Sequence, residues 1–291
     1  MHVVLRGGGA VATIDVATGT LLARRPVCGS PRGIASDETR TRLLVACEGG
    51  EVVALPLDVE APAAPVARID RDLRDVVVSH GRVFVSRFRS AEVLELDASG
   101  KMLWRTKPSI LEEEAKDRSA ASRAEPMVAF RMIAPPKDDP DDGPIIVHEA
   151  GRGGLLASTP TGYYGSPPPT IGVSGPCGGD SVVLSAVSRV GPTSWTQRLP
   201  VQAVLPVDIA IDGRAMAVVA AGNNRTDTLP QVFLLAPPAS IGAPAPCGSQ
   251  FTSYYPVGQI VAVASLGEGE FVVQSRTDRA PQAENGDLDS R

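Results

Sequence analysis

Aromatic residues make up only 4% of this 291-residue chain, and its three histidines, His2, His80 and His148, share no ligand spacing. The four cysteines, Cys28, Cys47, Cys177 and Cys247, form no CxxC pair, so zinc knuckles and thioredoxin-type chemistry have no support. No CxxCH occurs either, which excludes a c-type haem attachment within these residues. No apolar run approaches the roughly 20 residues of a membrane-spanning helix, and a net charge of −5 gives no global case for nucleic-acid or membrane partners. No signal-peptide pattern opens the sequence, since Met1-His2 leads straight into Val3-Val4-Leu5. That leaves two expectations, a cytosolic protein or a stretch cut from a longer secreted precursor. Enzyme signatures are as scarce. Gly172-Val173-Ser174-Gly175-Pro176 fails the GxSxG pattern. No P-loop and no GxGxxG follows a strand.

Glycine (29) and proline (26) are abundant, and hydrophobic content reaches 43%. That suits many short strands and turns around a sizeable core, and argues against a helical bundle. The clearest unit is Arg74–Trp104. It holds four apolar runs, Asp75–Val78, Val83–Ser86, Val93–Leu96 and Met102–Trp104, separated by Ser79-His80-Gly81, Arg87–Ser90 and Asp97–Gly100. Such runs predict four antiparallel strands joined by tight turns. An earlier copy starts at Pro31-Arg32-Gly33-Ile34 and continues through Leu43–Cys47, Val52–Leu55 and Ala67–Asp70. The step from Arg32 to Arg74 is about 42 residues, the size of one propeller blade. Further starts fall at Phe130–Ile133, Val207–Ala210 and Gln259–Ala262. The fold class expected is therefore an all-β propeller of about six to seven four-stranded blades. Residues 2–27 read as the last three strands of a blade, and Gln259–Ala264 with Phe271–Ser275 as the first two. Pairing the two ends in one sheet would close the ring.

The propeller is expected to span 1–276, with insertions at 108–127 and 151–180. Glu112-Glu113-Glu114 with Lys116 and Arg118 suggests a short exposed helix within 109–126. The Gly/Pro-rich 151–180 reads as a long loop, and the polar 277–291 as a disordered tail.

The units at Leu5–Gly19, Pro31–Leu55 and Arg74–Asp97 resemble bacterial YVTN/WD40-like propellers, whose Asp-x-x-Thr-Gly turn is matched by Asp15–Gly19. More narrowly, Leu5–Gly9, Ser86–Val93 and Val272–Arg276 are similar to propeller modules of myxobacterial proteins that precede a cytochrome c or di-haem peroxidase-like domain. That resemblance implies a periplasmic or extracellular protein in a redox setting. It places no haem here, because the sequence departs from the pattern before any CxxCH.

Asp138–Gly143 invites comparison with a calcium loop, but Pro140 occupies the third ligand position, so a solvated acidic turn is the plainer reading. The arginines are more informative. Arg32, Arg74 and Arg131 each stand two residues before an apolar residue, Ile34, Val76 and Ile133, where a blade's inner strand begins. With Arg87 and Arg89 they form an expected Arg-rich face at one end of the channel, suited to carboxylate or phosphate. The competing reading is blade-to-blade ion pairing with Asp72, Asp75 and Asp208. Cys28 and Cys47 flank one inner strand, so a disulfide and two small buried thiols are both open. The function expected is a non-catalytic binding or docking module for a protein or small anionic partner, with no cofactor and no metal. The alternative is the propeller portion of a periplasmic cytochrome c/di-haem protein. A propeller lyase or lactonase is disfavoured, because the inner-strand starts offer mostly Arg, Gly and apolar residues.

Overall fold

The structure is a computed structural model, and it describes residues 1–113, 122–134, 143–152, 182–192, 194–200, 202–212, 215–222, 230–235, 251–254, 258–276 and 282–285. The sequence-read acidic turn at 138–142 and nearly all of the 151–180 loop lie outside them. The described residues contain no α-helix and six antiparallel sheets. The first holds β1 (His2–Leu5), β2 (Ala10–Ile14) and β3 (Leu21–Pro26). The second holds β4 (Pro31–Ser36), β5 (Arg42–Cys47), β6 (Glu51–Pro56) and β7 (Ala64–Arg68). The third is β8 (Leu73–Ser79), β9 (Arg82–Arg87), β10 (Val93–Leu96) and β11 (Met102–Thr106). The fourth has five strands: β12 (Leu111–Glu113), β13 (Ser122–Ile133), β14 (Ile145–Arg152), β15 (Val183–Arg189) and β16 (Trp195–Arg198). The fifth is β17 (Pro206–Ile211), β18 (Met216–Ala220), β19 (Val232–Leu235) and β20 (Phe251–Tyr254). The sixth is β21 (Ile260–Gly267), β22 (Glu270–Ser275) and β23 (Gln282–Asn285).

Successive sheets pack face to face through their inner strands, β4 on β8, β8 on β13, β13 on β17 and β17 on β21. The middle strands are covered on both faces. That is why they read as continuous apolar runs rather than as clean alternation. Leu44, Val52, Val76, Val85 and Leu96 form one such core between the second and third sheets. Ile145, Val187, Met216, Val218 and Phe233 form another between the fourth and fifth. Outermost strands are wet, with Leu21 and Leu22 on β3 and Leu103 on β11 exposed.

Three expectations change. The helix expected within 109–126 is strand at both of its described ends. Leu111 pairs with Ala124 and Glu112 with Arg123, an opposite-charge cross-strand pair that favours the hairpin; 114–121 lie outside the described residues. Among the described residues, the strands near the chain's two ends lie in the first and last sheets of the series and do not share one. Within the expected tail, Gln282–Asn285 adds to β22 as a third strand.

Candidate functional site

Each described inner strand carries a bulge, and in β13 it lies in the second half of the strand. The register steps at Pro31/Gly33, Leu73/Asp75, Ala129/Arg131, Pro206/Asp208 and Ile260/Ala262. The bulged residues are therefore Arg32, Arg74, Phe130, Val207 and Val261, and those one place on are Gly33, Asp75, Arg131, Asp208 and Ala262. This corrects the sequence register. Counting back from Ile133 put Arg131 level with Arg32 and Arg74. The bulge puts Phe130 there and Arg131 level with Asp75, because Met132 is the residue equivalent to Val76.

The three arginines consequently differ. The Arg32 side chain is only 5% exposed and reaches two carboxylates, Glu48 Oε1 at 2.8 Å and Asp72 Oδ1 at 2.8 Å. It also donates to the Leu73 carbonyl. Arg131 lies between two inner-strand aspartates, with Nη1 3.3 Å from Asp75 Oδ1 and Nε 3.5 Å from Asp208 Oδ1. Arg74 has no carboxylate within ion-pair distance among the described residues. Its Nε donates to the Phe130 carbonyl at 2.9 Å, and its guanidinium carbon lies 5.5 Å from the centre of the Phe88 ring. Arg32 sits 5.7 Å from the same ring, and Phe130 meets Phe88 edge-on at 5.9 Å. Burial, and the charges of Arg32, Arg6 and Arg131, push the Arg74 pKa below its ordinary value, with Asp75 the counterweight.

Arg87 is held by Glu92 at 2.6 Å and Asp70 at 3.6 Å. Arg89 is exposed, and its backbone N–H donates to Asp72 Oδ2 at 2.9 Å. Sequence reasoning missed Phe88 and Phe130 as the apolar platform under Arg74. It also missed Glu48, which joins Arg6 at 3.3 Å to Arg32. A signal for Glu48 was in the sequence, since it directly follows Cys47 in the connection between two strands.

No protein-family model matches the chain, and no curated protein matches it. Solved structures do. Hydrazine synthase of Kuenenia stuttgartiensis superposes with a TM-score of 0.58 at 11% identity, over 99% of this chain and 92% of that one. A nidogen/laminin complex gives 0.53 at 11%, over 95% and 86%. The dihydro-haem d1 dehydrogenase NirN gives 0.51 at 15%, over 97% and 50%. The fold is a β-propeller.

Two further features of the propeller carry chemistry. Cys28 and Cys47 form a disulfide with Cα atoms 6.4 Å apart, tying the connection after β3 to the end of β5. His148, on β14, is fully buried. Its Nε2 lies 2.8 Å from Ser188 Oγ, which meets Thr196 Oγ1 at 2.8 Å. Burial lowers the His148 pKa to about 4, so the ring is neutral in the fold. The unfolded chain takes up this proton near pH 6.5 and the folded chain near 4, so stability is full above about 6.5 and falls as pH drops through that window. At pH 5 the loss is about 2 kcal/mol. Denaturant titrations at pH 7 and 5 should show it in the wild type. It should be absent in His148→Leu, where Ser188 keeps Thr196. Equal pH slopes in the two proteins refute this assignment.

Proposed function

We propose that this β-propeller is a non-catalytic binding module that takes a small anion, carboxylate or phosphate, on Arg74. The carrying observation is that Arg32, Arg87 and Arg131 are met by carboxylates, while both Nη atoms of Arg74 bond to nothing among the described residues. A guanidinium on an aromatic platform, with its outer fork free, suits bidentate recognition of a planar or tetrahedral oxyanion. Arg89, next to Phe88 in the chain, is exposed.

Phosphate or succinate at low salt should raise the melting temperature, and added sodium chloride should weaken the effect. Arg74→Gln should abolish the shift and leave the melting temperature of the free protein nearly unchanged. Arg32→Gln should behave oppositely. It strands Asp72 and Glu48 and costs about 2 kcal/mol, short of the loss for a fully buried pair because both carboxylates are partly exposed. An undiminished shift in Arg74→Gln, or no shift in the wild type, overturns the proposal.

The proposal includes an extracytoplasmic setting linked to redox proteins. Support comes from the resemblance carried by Leu5–Gly9, Ser86–Val93 and Val272–Arg276, and from the Cys28–Cys47 disulfide, a bond that oxidising compartments sustain. Thiol titration of protein from its native host is the check. Unreactive Cys28 and Cys47 agree with export, and reactive thiols at both count against it.

A further inference from the structure

Among the residues one place after the bulges, Arg131 stands between two aspartates. Asp75 Oδ1 accepts from Val76 N–H at 3.0 Å, and its Oδ2 from Met132 N–H of the next sheet at 2.8 Å. Asp208 repeats the pattern, with Ile209 N–H on Oδ1 at 3.0 Å and Val263 N–H of the next sheet on Oδ2 at 2.9 Å. Main chain from two sheets therefore fixes each carboxylate before Arg131 is counted. Arg131 adds one longer contact to each, through Nη1 on Asp75 at 3.3 Å and Nε on Asp208 at 3.5 Å.

Two fixed acceptors on two sheets orient this guanidinium and leave one nitrogen over. Arg131 Nη2 bonds to nothing among the described residues, and the side chain is 45% exposed. An arginine that served only to tie sheets together would be buried and use both Nη atoms. Arg32 does so, holding Asp72 and the Leu73 carbonyl with Nη1 and Glu48 with Nη2. Arg131 also lies beside the anion site on Arg74. It follows Phe130 in the chain, and the Phe130 carbonyl is the group that takes Arg74 Nε. Asp75, which meets Arg131 Nη1, follows Arg74. Burial is the main reason that the Arg74 pKa is low, and the charge of Arg131 adds to it after those of Arg32 and Arg6. The two guanidiniums are thus within electrostatic reach of each other.

We propose that Arg131 is the second arm of the Arg74 site and that the ligand is a short dicarboxylate. One carboxylate lies on the free fork of Arg74, and the other accepts from Arg131 Nη2. This rests on the anion reading of Arg74 and adds a second charge to the ligand. Asp75 and Asp208 are positioning residues for Arg131 and do not touch the ligand. Burial raises both of their pKa values, with Arg131 among the counterweights, so they oppose a second carboxylate less than two exposed aspartates would.

Titration calorimetry at low salt, on the full chain, compares succinate with monomethyl succinate, which has the same carbon chain and one negative charge. The wild type should prefer succinate about tenfold, the effect of one charge-assisted hydrogen bond. Arg131→Gln should bring the two ligands to equal affinity and leave the binding of monomethyl succinate unchanged. Arg74→Gln should abolish the binding of both. A second readout needs no variant to fold. In the wild type, succinate should shift the Arg131 Nε–H resonance in NMR spectra, and monomethyl succinate should leave it in place. Equal affinities in the wild type, a preference that survives Arg131→Gln, or an unmoved Arg131 resonance overturns the second arm and leaves the Arg74 reading standing. If neither ligand binds the wild type, both readings fall.

Discussion

Asp75→Ala should cost roughly 2–5 kcal/mol, because two buried backbone amides each lose their acceptor. Asp75 is 1% exposed. Besides the N–H groups of Val76 and Met132, it holds Arg131 Nη1 at 3.3 Å. Alanine strands both amides and leaves Arg131 with Asp208 alone. Gly33 packs so close that a Cβ there would lie 2.6 Å from the Asp75 Cα. Asp75→Asn keeps one acceptor oxygen and should cost less than half as much. The pH dependence separates packing from charge. Burial raises the Asp75 pKa, with Arg131 the main counterweight. A carboxyl whose pKa is raised by folding adds stability below its unfolded pKa and loses it as pH rises through the folded value. The gap between wild type and Asp75→Asn should therefore narrow from pH 4 towards pH 7. Urea titrations across that range test it. A gap that widens with pH would mean that Asp75 is stabilised as a charge and that its pKa is lowered.

The sheets were legible in the sequence because each middle strand is an unbroken apolar run bounded by turn residues. Val83–Ser86 and Val93–Leu96 fall within β9 and at β10. The repeat from Arg32 to Arg74 marks two equivalent bulges, and this is why those two arginines were aligned correctly. The third was misplaced by one residue. Apolarity cannot tell Met132 from Ile133, and only the ladder shows which one follows the bulge. The helix expected near Glu112 failed for a related reason. A charge run says which side chains want water, and an exposed strand satisfies that as well as a helix does. Side-chain partners were the least legible. Asp72 and Asp75 were readable as competitors for the arginines, but their division of labour depends on three-dimensional neighbours. Asp72 goes to Arg32 and to the Arg89 amide, and Asp75 goes to Arg131. Arg74 is left over because its bulge points it at Phe88 and the Phe130 carbonyl, a contact with no signature in residue spacing.

Reducing the Cys28–Cys47 bond should lower stability by about 3 kcal/mol, the chain-entropy value for a 19-residue separation. For a domain of this size that corresponds to a fall of roughly 6–12 °C in melting temperature. The position of the bond makes the effect more than a loop correction. Cys47 is fully buried in a core with Val11, Leu43, Val45, Val53 and Leu55, which joins the first sheet to the second. Cys28 belongs to the connection that Gly9 holds down, where any larger residue at position 9 would meet the Cys28 carbonyl. Beyond that core the first sheet has only limited ties to its neighbour, including Arg6 to Glu48 and Arg25 to the carbonyls of Pro56 and Ala61. Losing the disulfide should therefore loosen the first sheet before the others. Amide exchange after reduction should rise first in β1–β3, with β8–β11 protected until global unfolding. The double variant Cys28→Ala with Cys47→Ala should match the reduced wild type in both melting temperature and exchange pattern. A reduced protein that melts within a degree of the oxidised one would show that the core with Val11 and Leu43 alone holds the first sheet in place.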